Sequence, residues 1–108
     1  MDDRELLELA AKAVGAKTHP PSAASKNPKY TAEGFSGWFN PLHFKDQIIV
    51  LAAKLDISIR LEGDELTAIA HWYRGGRIGR VVGSYRTGSV DDVAKLVVRA
   101  AAEIGRAM

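Results

Sequence analysis

The sequence predicts an α+β domain in the order α-α-β-β-β-α: two helices, a three-stranded antiparallel sheet, and a closing helix. Three observations carry this expectation. Apolar residues recur at three- and four-residue spacing near the start, from residue 41 to 55, and again from residue 90 onward. Between residues 57 and 86 the period drops to two, with glycine-bearing turns dividing the stretch into three runs. The 108 residues, 46% hydrophobic and 26% charged, suit one globular domain over 1–108 and exclude wholesale disorder.

The first helix is expected just after Asp3, over Arg4, Leu6, Leu7, Leu9, Ala10, Ala13 and Val14. Acidic residues fill its first turn and Gly15 stops it. Residues 16–38 lose all periodicity and hold three of the four prolines, so they are expected to form a long irregular loop. Asn40-Pro41 places a capping residue before a proline that suits a first helical position, predicting that the second helix starts there and buries Leu42, Ile48, Ile49, Leu51, Ala52 and Leu55, with Phe44 joining that side.

The strands follow. Ile57, Ile59 and Leu61 alternate with Ser58, Arg60 and Glu62, residues 62–65 make a turn, and residues 66–73 return as the second strand. Pairing Leu61 with Leu66 gathers Ile57, Ile59, Leu61, Leu66, Ala68, Ala70 and Trp72 on one face. Residues 74–79 are read as the next turn and residues 80–86 as the third strand, adding Val81, Gly83 and Tyr85 to that face. Ser89-Val90-Asp91-Asp92 reads as a cap with acidic residues in the positive first turn. The stripe Val90, Val93, Ala94, Val97, Ala100, Ala101 and Ile104 makes the final helix. Helices two and three should cover the Ile57/Ile59/Leu66/Trp72 face. Helix one is left to cover part of the other face or dock at an edge.

Asp3-Arg4-Glu5-Leu6-Leu7-Glu8-Leu9-Ala10-Ala11-Lys12-Ala13, Trp38-Phe39-Asn40-Pro41-Leu42, Leu51-Ala52-Ala53-Lys54-Leu55 and Val98-Arg99-Ala100-Ala101-Ala102-Glu103-Ile104-Gly105 resemble small phage and prophage proteins that carry the phage ABA sandwich domain. The likeness is weaker over residues 16–37, and residues 43–47 stand where such proteins usually carry an acidic stretch. The resemblance implies a sheet with helices on both faces and a phage protein made in the cytoplasm of the bacterial host. It implies no established activity and no cofactor.

With no cysteine there is no disulfide framework, thiolate zinc site or cysteine nucleophile. No run of about 18 apolar residues is present, so no spanning helix is expected, and the acidic start shows no secretory signal. His19, His43 and His71 lack carboxylates at ligand spacing, so no metal site is expected. Ser84 lies near His71 only if the strands pair suitably, with no carboxylate on that face, so no enzyme is expected. Gly75-Gly76 and Gly79 could form an anion-binding nest, although hairpin glycines more commonly supply positive φ. They match neither a P-loop nor a dinucleotide fingerprint.

What remains is charge. Between Leu66 and Val90 stand Arg74, Arg77, Arg80 and Arg86 and no acidic residue, in a chain whose net charge is +2. With His71 and Tyr73 these form the candidate binding set, for arginine beside aromatic rings recognises carboxylates, phosphates and bases. The expected function is a non-enzymatic accessory protein that binds a host macromolecule, a protein before all, through the hairpin and the long loop. The alternative is nucleic-acid or nucleotide binding through the same arginines and sheet face. A first helix lying across Tyr73 and Arg86 would close that face to bases, and Asp91 and Asp92 at the last helix repel phosphate. A helix-mediated homodimer stays open. Phe35, Trp38 and Phe39 are expected to fold back and seal the core.

Overall fold

The computed structural model describes residues 2–22, 27–62 and 66–108, and among them no helix is long and apolar enough to cross a membrane. The elements are α1 (Asp3–Ala13), β1 (Lys17–His19), β2 (Lys29–Thr31), α2 (Gln47–Leu55), β3 (Ser58–Glu62), β4 (Thr67–Arg74), β5 (Arg77–Ser84) and α3 (Val90–Arg106). The class is α+β, with antiparallel strands ordered β3-β4-β5 in the main sheet and β1-β2 in a small ribbon. That ribbon lies within the stretch expected to be irregular. Its three register pairs, Lys17 with Thr31, Thr18 with Tyr30 and His19 with Lys29, show no alternating apolar signal because only Tyr30 is buried.

Helix α3 is the hub. Ala94, Leu96, Val97, Val98, Ala100, Ala101, Ala102, Ile104 and Gly105 are all buried, covering well over half its circumference. The stripe Asp92, Lys95, Arg99, Glu103 and Arg106 escapes full burial, as do Val90, Asp91 and Val93 in the first turn. One buried flank lies over β4 and β5, where Ala68 and Ala70 offer almost no side-chain height and let the helix sit close. The opposite flank takes α1, and α2 packs against α3 as well.

The contact with α1 explains where that helix went. A Cβ built on Gly105 would stand 1.9 Å from the Leu9 carbonyl oxygen, so the two helices approach backbone to backbone. Ala10, Ala11 and Ala13 on α1 complete a contact between small residues. Helix α1 therefore docks on α3 rather than on the second sheet face, which carries no helix among the described residues.

Two helix starts differ from expectation. Helix α1 is capped by Asp2, whose side chain accepts from the Glu5 amide at 2.9 Å, so Asp3 is already helical. Asn40 and Pro41 open a turn, not the second helix: the Asn40 carbonyl accepts from the His43 and Phe44 amides and Asn40 Oδ1 from His43. The Leu42 carbonyl, which a continuous helix would offer to residue 46, accepts from Lys45 Nζ. The buried Gln47 side chain then accepts from the Asn40 amide and donates to the Trp38 carbonyl, each at 2.8 Å, and α2 starts at that anchor.

In the sheet, Leu61 pairs with Ala68 and Ile59 with Ala70, two residues away from the expected register. A slip of two keeps every side chain on its face, yet Ile59 and Leu61, expected to be buried there, stay 37% and 50% exposed on the edge strand β3. Leu66 does not join that face: it adopts φ 51°, stays half exposed, and accepts from the Tyr85 amide at 2.9 Å. The expected turn at 62–65 falls largely on residues 63–65, outside the described residues. The second turn is shorter than expected. Gly75 and Gly76, with φ 58° and 79°, form a two-residue connection of the kind that requires positive φ twice, and β5 starts at Arg77.

Candidate functional site

The sheet presents two faces of opposite character. Toward α3 point Ala68, Ala70, Val81 and, past the strand end, Tyr85, all buried, with Ile57 buried beside them. The second face carries the cross-strand rows Ser58-His71-Arg80 and Arg60-Ile69-Val82, and the pair Tyr73-Ile78. Tyr73 is 65% exposed and Ile78 79%. Of the arginine set, Arg80 lies on this face, whereas strand alternation puts Arg74 and Arg77 on the side of Trp72 and Gly79.

The six candidate residues do not form one cluster. His71 and Arg80 are directly paired near the middle of the bare face, and Tyr73 lies one step toward the tip. Arg74 and Arg77 flank the glycine turn at the tip, both exposed. No carboxylate among the described residues pairs with Arg74, Arg77 or Arg80. Arg86 lies apart, nine residues beyond Arg77 or about 30 Å of extended chain. Its amide donates to Asp92 Oδ2 at 2.8 Å and its Nε to the same oxygen at 3.2 Å. These hydrogen bonds, first from the side chain and then from the backbone, hold the Asp92 carboxyl below the usual carboxylate range. Ser89 Oγ accepts from the Asp92 amide at 3.3 Å, so Asp92 joins the strand exit to the start of α3. Arg86 thus fastens a helix end, apart from the other candidate residues.

The structure also separates the groups that nucleophilic chemistry would need together. Ser84 pairs with Thr67 while His71 pairs with Arg80, four residues or about 13 Å along the strand. His19 is held in the ribbon by a 2.9 Å hydrogen bond between its Nε2 and Thr31 Oγ1, with Trp38 edge-on to its ring. Among the described residues no three His, Asp, Glu or Cys side chains converge as metal ligands. The aromatic segment is divided: Phe39 is buried with Phe35 edge-on against it, whereas Trp38 stays 43% exposed with Lys29 Nζ 5.0 Å above its ring.

A feature that periodicity did not reveal lies beside β5. A groove of about 840 Å³ runs between the outer edge of this strand and the exposed stripe of α3, lined by Trp72, Leu96, Lys95 and Arg99 and ending at Leu6. Gly79 makes room for the Trp72 indole, since a Cβ there would lie 2.2 Å from the ring. Gly83 does the same for Arg99, whose Nη1 lies 3.1 Å from the corresponding point. The signal in the sequence was the Gly79/Gly83 spacing, two gaps on one face of a strand. A second concavity of about 450 Å³ between α1 and residues 27–43 includes Asp3, Arg4 and Tyr30, whose hydroxyl pKa is raised by burial.

Comparison with protein families, with curated proteins and with solved structures finds no match to this chain.

Proposed function

We propose that the chain is a non-enzymatic binding protein that docks an anionic surface of a macromolecular partner on its bare sheet face and the adjoining arginine hairpin. In the phage setting implied by the resemblance, that partner is a host protein. One observation carries the reading: Arg74, Arg77 and Arg80 lack carboxylate partners among the described residues, Arg80 sharing with exposed Tyr73 and Ile78 the face that no helix covers and Arg74 and Arg77 flanking the turn at its tip. Arginine and tyrosine are the residue types that anchor protein interfaces, and exposed aliphatic side chains beside them favour an apolar contact over a purely phosphate one.

The open face also keeps Tyr73 and His71 within reach of a base, which is what a nucleic-acid reading requires. Against that reading stand Asp91 and Asp92 at the start of α3 and the pairing of Arg86 with Asp92. Capture from nuclease-treated bacterial lysate decides between the two. The wild-type protein should retain a discrete protein, and R74E/R77E/R80E should lose it while its thermal unfolding stays nearly unchanged. Undiminished capture by the triple variant would refute the proposal. Loss of all capture on nuclease treatment, with a steep salt dependence, would move the assignment to nucleic acid.

A further inference from the structure

The outer edge of β5 and the groove beside it suggest how such a partner is held. Because Gly75-Gly76 closes a two-residue hairpin, Arg74 and Arg77 form a mutually hydrogen-bonded pair, and the pattern alternates from there. Gly79, Val81 and Gly83 therefore bond inward to β4. Ile78, Arg80, Val82 and Ser84 direct their N–H and C=O groups outward, where no strand pairs with β5 among the described residues.

A bare edge of eight residues invites another strand. We infer that this edge takes an extended segment of a partner protein, alternating acidic and β-branched residues, as a fourth strand lying in the groove between β5 and α3. The inference rests on the proposed anionic partner and adds its conformation and position.

Charge selects the occupant. Along the α3 side of the groove, Asp92 is paired with Arg86, Glu103 with Arg106 and Lys95 with Asp3. Arg99 has no carboxylate partner among the described residues, and it sits half buried over Gly83, where only hydrogen stands between it and the strand. An acidic side chain on the α3-facing side of an added strand would meet that guanidinium. The alternate side chains would lie along Ile78 and Val82, which are 79% and 47% exposed and suit β-branched neighbours. Trp72, spread over Gly79, supplies an apolar wall farther along. A second copy of β5 would fit this edge poorly, because Arg77 and Arg80 of both chains would crowd onto one short ladder.

The test uses the full chain and an acetylated, dye-labelled (Glu-Val)4 peptide, followed by fluorescence anisotropy. Three comparisons accompany it: the same peptide N-methylated at alternate residues, unstructured polyglutamate, and R99Q protein. Binding of (Glu-Val)4, its loss on N-methylation, and an affinity about tenfold lower for R99Q are expected, since a hydrogen bond between charged groups is at stake. On binding, the Ile78, Arg80 and Val82 amides should slow in hydrogen exchange. V82P removes one outward N–H at an edge position where proline is tolerated, and it should lose the peptide while keeping its fold. Should V82P unfold, the N-methylated peptide makes the same test on the unchanged protein. Equal binding of the N-methylated peptide or of polyglutamate, or protection at the hairpin tip without the edge amides, would overturn the added strand and leave the anionic-partner reading standing. Failure of both (Glu-Val)4 and polyglutamate to bind would count against both.

Discussion

The two faces of the β3-β4-β5 sheet are built from the same strands and have opposite fates. On one, Ala68, Ala70 and Val81 are sealed beneath α3; on the other, Ile69, His71, Tyr73, Ile78, Arg80 and Val82 meet solvent at least in part. Hydrophobicity alone does not separate them, since Ile78 and Val82 are more apolar than the alanines opposite. What separates them is which face α3 covers, and that follows from helix packing elsewhere. Helix α1 could have covered the second face. Instead the close approach at Gly105 and the alanines of α1 commit it to α3, and one face of the sheet keeps no helix over it among the described residues.

The largest effect should come from breaking the helix pair that creates this asymmetry. Gly105→Ala places a methyl group against the Leu9 carbonyl, where neither backbone can yield without moving the helices apart. A loss of about 3 kcal/mol in chemical denaturation is expected, at the upper end for an overpacked contact. A change under about 0.5 kcal/mol would mean that α1 is not seated as described.

A smaller and more discriminating contrast lies within one strand. Val81 and Val82 are neighbours in sequence, one buried beneath α3 and the other 47% exposed. Val81→Ala should cost about 2 kcal/mol, and Val82→Ala no more than about 0.5 kcal/mol. Equal costs in thermal or urea unfolding would erase the difference between the two faces.

The face division was readable in the sequence because a strand's period of two fixes it, even though the register with Leu66 was two residues off. The closing helix was equally legible, its Ser89 cap and wide apolar stripe matching α3 from Val90 to Arg106. The start of α2 was not. Asn40-Pro41 is a sound capping signal, yet the anchoring of Gln47 to Asn40 and Trp38 is a tertiary choice that local preference does not contain. The ribbon of β1 and β2 was hidden for a related reason, since three-residue strands with one buried side chain leave no period to detect.

The candidate site was legible by composition and only partly by position. Arg74, Arg77, Arg80, His71 and Tyr73 do lie along one hairpin, as an acid-free stretch suggested. Arg86 falls to Asp92, because a charge count cannot foresee an ion pair six residues ahead. Arg99 went unnoticed for the converse reason. It reads as an ordinary solvent-facing helix residue until the fold lays the α3 stripe beside the edge of β5.

The proposed partner should sit on the bare sheet face. Amide chemical-shift mapping of the labelled protein, with and without the captured partner, tests this most directly. Perturbations concentrated on Ile69, His71, Tyr73, Ile78, Arg80 and Val82, with α1 and the ribbon unchanged, are the expected result. A footprint centred on the crevice around Tyr30, His43 and Trp38, with the bare sheet face silent, would contradict it.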